Sequence, residues 1–140
     1  MAGRVIALDV GDVRIGVAVS DPTGTIAQPL EVYKRVGYGP DSRYVKALCD
    51  RYETDQVLLG LPLNMDDTMG DRAEKTLEFK NELERRLSVP VLLVDERLTT
   101  VEAIEIMDDA GIKVSEREKY VDMIAATIIL QDYMNSHESK

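Results

Sequence analysis

Three carboxylates stand where a folding core gives them no ordinary reason to be. Asp9 falls near the end of the apolar run that begins at Val5, Glu96 follows the run Val91 to Val94, and Asp122 shares a helical spacing with Ala125, Ala126 and Ile129. An isolated buried carboxylate is costly unless a cation or hydrogen-bond partner meets it. Two strand ends and one helix can gather these acids around hard divalent cations, which take oxygen donors. Two such ions about 4 Å apart activate a water and stabilise the leaving oxygen in phosphodiester hydrolysis, and no histidine is required. The expected catalytic and metal-holding set is therefore Asp9, Glu96 and Asp122, with Mg2+ or Mn2+, one ion or two, as cofactor. Each acid has an ordinary alternative. Asp9 can also be a turn carboxylate for the bend at Gly11, Glu96 or its neighbour Asp95 an ion-pair partner of Arg97, and Asp122 an acid bordering a packed stripe.

The elements that must position these residues follow from periodicity. Val5 to Val10 reads as a buried strand, Gly11 to Arg14 as a turn, Ile15 to Ser20 as a second strand and Ile26 to Tyr33 as a third. Pro29 assigns the third to a sheet edge, because proline cannot donate to a ladder. Tyr44, Val45, Leu48 and Tyr52 recur at helical spacing in a helix that starts near Asp41 and ends near Glu53, and Val57 to Gly60 is the next strand. A loop from Leu61 to Gly70 leads to a helix with Ala73, Leu77, Leu83 and Leu87 as its apolar positions, followed by a strand over Pro90 to Val94. Thr99 with Glu102, and Ser115 with Glu118, have the spacing of capping boxes. They open a helix stopped by Gly111 and a last helix running to about Met134. The expected fold is one α/β domain over residues 1–140, a five-stranded mixed sheet with an antiparallel meander first, parallel crossover strands after it and helices on both faces. The tail 135–140 is expected to fray. Strand alternation sends Asp95 to the face opposite Glu96.

Composition bounds the partners. The 140 residues carry a formal net charge of −9, which argues against a broad basic surface coating nucleic acid and confines any phosphate contact to a local site. Cys49 is the only cysteine, so no internal disulfide forms and a four-cysteine zinc site is excluded. It reads as a small buried apolar residue on a helix. His137 sits in the polar tail. No secretory profile and no membrane-length apolar run is present, and a cytoplasmic location without a membrane partner is expected.

Four blocks, in order, resemble the signatures of the YqgF/RuvX family: Asp9-Val-Gly-Asp-Val-Arg14-Ile-Gly16, Gly60-Leu-Pro-Leu-Asn64-Met-Asp66, Asp95-Glu96-Arg97-Leu-Thr-Thr100 and Asp122-Met-Ile-Ala-Ala126. The resemblance spans roughly Val5 to Tyr133. It implies an RNase H-like fold related to Holliday junction resolvases and a nuclease that matures the 5′ end of pre-16S rRNA, in the setting of the pre-ribosomal particle. It also implies catalytic roles for Asp9, Glu96 and Asp122, phosphate contacts from Arg14, Arg97 and Asn64, and support from Gly11, Gly16 and Thr100. Val13 stands where the family often has lysine, and Asp67 where it often has glycine. Resolvases of the superfamily carry an acid after the strand that matches Val57 to Gly60, where this chain has Leu61 to Asn64, so Glu96 must take that place, with Asn64 or Asp66 assisting.

Three rival functions remain at this point. A nuclease acting on branched DNA uses the same acids. A non-catalytic RNA-binding assembly factor can use the same fold, because fold does not fix function. An ATP-binding module shares the Asp9-x-Gly11 start, but it needs a second phosphate loop that this sequence lacks.

Overall fold

The computed structural model describes residues 3–61, 70–95 and 99–137. Its strands are β1 (Arg4–Val10), β2 (Arg14–Ser20), β3 (Ala27–Lys34), β4 (Thr54–Leu61) and β5 (Val91–Asp95). Its helices are α1 (Tyr38–Tyr52), α2 (Asp71–Arg86), α3 (Thr99–Asp109) and α4 (Arg117–His137). The strands form one sheet in the order β3-β2-β1-β4-β5. The β1–β2 and β2–β3 pairings are antiparallel, and the β1–β4 and β4–β5 pairings are parallel. β3 is an edge strand, as Pro29 requires, and its register against β2 shifts between Val17 and Ala18, the latter lying opposite Pro29.

Alternation along the strands sorts their side chains onto two unlike faces. Ile6, Leu8 and Val10 of β1, with Ile15, Val17 and Val19 of β2, pack with Val45, Leu48, Phe79 and Leu83 from α1 and α2. The opposite face offers Ala7 and Ala18 to Ala126, Ile129 and Leu130 of α4. Helices therefore cover both faces, with bulky contacts under α1 and α2 and small ones under α4.

Among the boundaries that depart from the sequence reading, three have a visible cause. α1 starts at Tyr38 rather than Asp41, because the fully buried Asp41 carboxylate turns back to accept the amides of Val36 and Gly37 at 2.9 and 3.3 Å. That fixes the chain ahead of the helix, so the first turn forms earlier. Ser115 does not open the last helix: a single 3-10 turn over Val114–Glu116 precedes it, and α4 begins at Arg117. α4 also continues through Asn135 to His137, within the stretch expected to fray, because its last turns are tied to the sheet. Gln131 accepts the Ala27 amide at 2.9 Å and donates to the Thr25 carbonyl at 3.0 Å, while Gln56 donates to the Tyr133 hydroxyl at 2.8 Å. At the end of α3, Gly111 takes φ 72° and its amide reaches the Asp108 carbonyl, the left-handed stop that glycine makes without strain.

Candidate functional site

Asp9 lies on the α4 face of β1, near the strand's C-terminal end, and is 5% exposed. Its register partner on β2 is Gly16. A side chain at Gly16 has nowhere to go: a Cβ there would fall 2.6 Å from the Met123 amide nitrogen and closer still to the Asp122 carbonyl. Glycine at this position thus lets the α4 backbone rest directly on β2. The result is that Asp122, in the second turn of α4, comes down beside Asp9, and the two carboxyl groups meet in hydrogen-bonding contact.

The electrostatics follow from that contact. Burial, and then the neighbouring Asp9 charge, push the Asp122 pKa up to about 6, with the Arg14 guanidinium pulling the other way. Arg14 Nε lies 3.5 Å from Asp122 Oδ2. A cation is already drawn to the acid pair, so the donor set suits a hard divalent ion: oxygen ligands, surplus negative charge and restricted access to water.

The turn between β1 and β2 is held rigidly. The Gly11 amide donates to the Arg14 carbonyl at 2.8 Å, and Arg35 reaches across to donate to the Gly11 carbonyl at 2.9 Å. Arg72 donates to the Val10 carbonyl at 2.9 Å. Arg35 is itself anchored by Asp41, with Nε 2.9 Å from Oδ2. Burial works against the Asp41 charge, but the Val36 and Gly37 amides and the Arg35 guanidinium outweigh it and hold this carboxyl below the usual range. Sequence reading did not single out Arg35, Arg72 or Asp41 as supports of the turn. An arginine just past an edge strand followed by a buried aspartate six residues on carries no periodic signal.

Of the expected site residues, Asp9, Gly11, Arg14, Gly16 and Asp122 come together at one end of the sheet. Glu96, Arg97, Asn64 and also Asp66 lie outside the described residues, and Thr100 is placed only by its backbone, within α3. Among the described residues no group of three metal-binding side chains forms. Asp95 ends β5 opposite Leu61 and shares a strand face with the buried Val91, which packs in the α1 and α2 core. It therefore lies on the face away from Asp9.

A family model described as "RuvX: Holliday junction resolvase" matches residues 3–136. The chain belongs to the RuvX family. A Clostridium botulinum (strain Hall) protein named "Putative pre-16S rRNA nuclease" is 44% identical over 95% of this chain and 97% of its own length. A Clostridium kluyveri protein of the same name is 44% identical over 94% of this chain and 96% of its own. Among solved structures, RuvC of Thermus thermophilus in complex with a Holliday junction substrate superposes with TM-score 0.60 at 15% identity, covering 98% of this chain and 96% of that one. The fowlpox virus resolvase bound to Holliday junction DNA gives TM-score 0.60 at 15% identity, over 95% and 97%. At that identity the likeness speaks to fold, and the RuvX chain has the RNase H-like architecture its sequence implies. Among the described residues no helix is long and apolar enough to cross a membrane.

Proposed function

We propose that this RuvX chain is a metal-dependent endonuclease that hydrolyses phosphodiester bonds in maturing the 5′ end of pre-16S rRNA. The observation that carries the reading is the contact between buried Asp9 and Asp122 at the end of β1. The names of the relatives 44% identical over almost the whole chain supply the substrate. Continued alternation past Asp95 would bring Glu96 to the Asp9 face, and the three acids would then hold Mg2+ or Mn2+. When bound, such ions supply an activated water and neutralise charge on the leaving oxygen.

The protein's own groups supply the rest. Gly16 and the α4 contact fix the spacing of the two carboxylates, and the braced turn fixes Asp9 relative to Arg14. Arg14 offers a guanidinium to a non-bridging phosphate oxygen, a geometry that arginine serves well. Arg97 and Asn64 are assigned to further phosphate contacts. As the water oxygen bonds to phosphorus, one P–O ester bond breaks and the leaving oxygen takes up a proton.

A second reading, cleavage of branched DNA, is supported by the family description and by the RuvC likeness. One assay separates the two. Pre-16S rRNA ends and four-way DNA junctions are incubated side by side with Mg2+, Mn2+ or chelator. Metal-dependent cleavage of the RNA end is the expected result; cleavage of the junction alone transfers the function to DNA, and cleavage of neither removes the nuclease.

A further inference from the structure

At the same end of the sheet as the acid pair, but on the α1 and α2 side of the Gly11–Val13 turn, lies a cavity of about 400 Å³ lined by Asp12, Arg35, Val36, Tyr38, Asp41 and Lys75. We propose that it receives one unpaired nucleotide, base first, from the strand being cut; this rests on the nuclease reading above.

Position is the first ground. The turn that carries Asp9 at one end and Arg14 at the other forms the rim of the cavity: Arg35 donates through its side chain to Gly11 and through its amide to the Val13 carbonyl, and Lys75 Nζ lies 3.7 Å from Asp12 Oδ1. Asp12 is three residues from Asp9, so the two are at most about 10 Å apart along the chain. That is roughly three nucleotides of helical rise at ~3.4 Å each. A strand that crosses the turn with a phosphate at the acids therefore brings a nucleotide within about three of that phosphate to the cavity.

Chemistry is the second. Arg35 is paired with the buried Asp41 and Lys75 with Asp12, so the walls carry both signs and no net cationic charge. Such a lining suits a neutral group with donors and acceptors better than a bare phosphate. The remaining surface is Val36, which is 75% exposed, and the part of the Tyr38 ring left open by its stacking on Phe79, with centroids 6.1 Å apart, and by the Arg35 guanidinium 5.6 Å from its centroid. A flat aromatic group with a polar edge covers that apolar surface and meets the charged rim. The volume falls within the range of small-molecule pockets, about 300–1,000 Å³. Bases in a duplex have stacked faces and paired edges, so only an unpaired or extruded nucleotide can enter.

The test uses the full chain, in chelator, observed by amide NMR. Short single-stranded RNA, single-stranded DNA of the same sequence, the corresponding blunt duplex and an abasic strand are titrated in turn. Amides of Val36, Gly37, Tyr38 and Lys75 should shift with the RNA strand, and with the DNA strand too because the base enters first, and not with the duplex or the abasic strand. Val36→Glu should weaken single-strand binding about tenfold, the scale of losing one stacked base. It should raise KM for a substrate with an unpaired end at unchanged kcat and unchanged melting temperature. Ile26→Glu, the same charge on an exposed residue in the β2–β3 turn, should do neither. Silent pocket amides, equal shifts with the abasic strand or duplex, or a Val36→Glu protein that binds like wild type overturns the proposal. A wild-type chain that cleaves while these amides stay still sinks the pocket alone. One that shifts them and never cleaves sinks the nuclease reading alone.

Discussion

The two faces of this sheet are built on opposite principles. Under α1 and α2 the strands present Ile6, Leu8, Ile15 and Val17, all fully buried, and stability there comes from filling space with branched side chains. Under α4 the same two strands present Ala7, Asp9, Gly16 and Ala18. Polar groups persist on that side and are matched one by one: Ser20 Oγ accepts the Val5 amide at 2.8 Å, and Gln56 meets Tyr133. Small residues bring a helix backbone close enough to set a distance between two charged side chains, which large residues would hold apart. One face makes the fold durable, and the other makes a geometry.

The most damaging change to that geometry should be Asp122→Asn, which is expected to reduce metal-dependent cleavage to background. In chelator it should also stabilise the protein. The sign follows from linkage: Asp122 has a folded pKa near 6 against an ordinary 3.8, so the folded chain holds its proton longer, and ionisation costs stability as pH rises through that window. The asparagine variant escapes this cost, by up to about 3 kcal/mol at pH 8. Melts at pH 4 and pH 8 check it: a variant destabilised at pH 8 yet still active would show that Asp122 is a structural acid.

Gly16→Ala comes next. The added Cβ must displace α4, so overpacking should cost about 1–3 kcal/mol. A shift of about 1 Å in Asp122 should cost about a hundredfold in cleavage. Calorimetry with single-turnover cleavage reads both, and full activity would mean that the helix contact does not set the site. Leu8→Ala tests the other face. It should cost about 2–5 kcal/mol in denaturant melts but leave the rate per folded molecule intact. The smallest effect overall is expected for Asp95→Asn, whose residue ends β5 on the α1 and α2 side. Its rate should stay within twofold of wild type, and any loss should appear in stability; an inactive but well-folded variant would place Asp95 at the metal.

Most of the framework was readable because it is local. A proline marked the edge strand, strand alternation separated the two faces, and the acid in the first apolar run stood out against its neighbours. Asp122 was legible through the small apolar residues that share its helical face. What could not be read depends on contacts between distant segments. Nothing in Val-Arg-Ile-Gly announces that a helix more than a hundred residues later will rest on that glycine. Asp41 looked like a helix start; its burial and its bonds to Val36 and Gly37 arise only once Arg35 folds over the turn. By polarity Asn135 to His137 read as lying beyond the last helix, whereas α4 runs on to His137, past the clamp from Gln131 onto Ala27 and Thr25.

The meeting of Asp9 and Asp122 has a consequence in time. The first acid belongs to the first described hairpin and the second to the last described helix, roughly 110 residues later, which a ribosome takes about 6–22 seconds to add. Until α4 has emerged and settled on Gly16, a nascent chain carries only half of the pair and no enforced spacing for it. On the nuclease reading proposed above, a copy truncated before α4 should therefore be inert, and cutting should begin only once that helix has been made and has settled on Gly16.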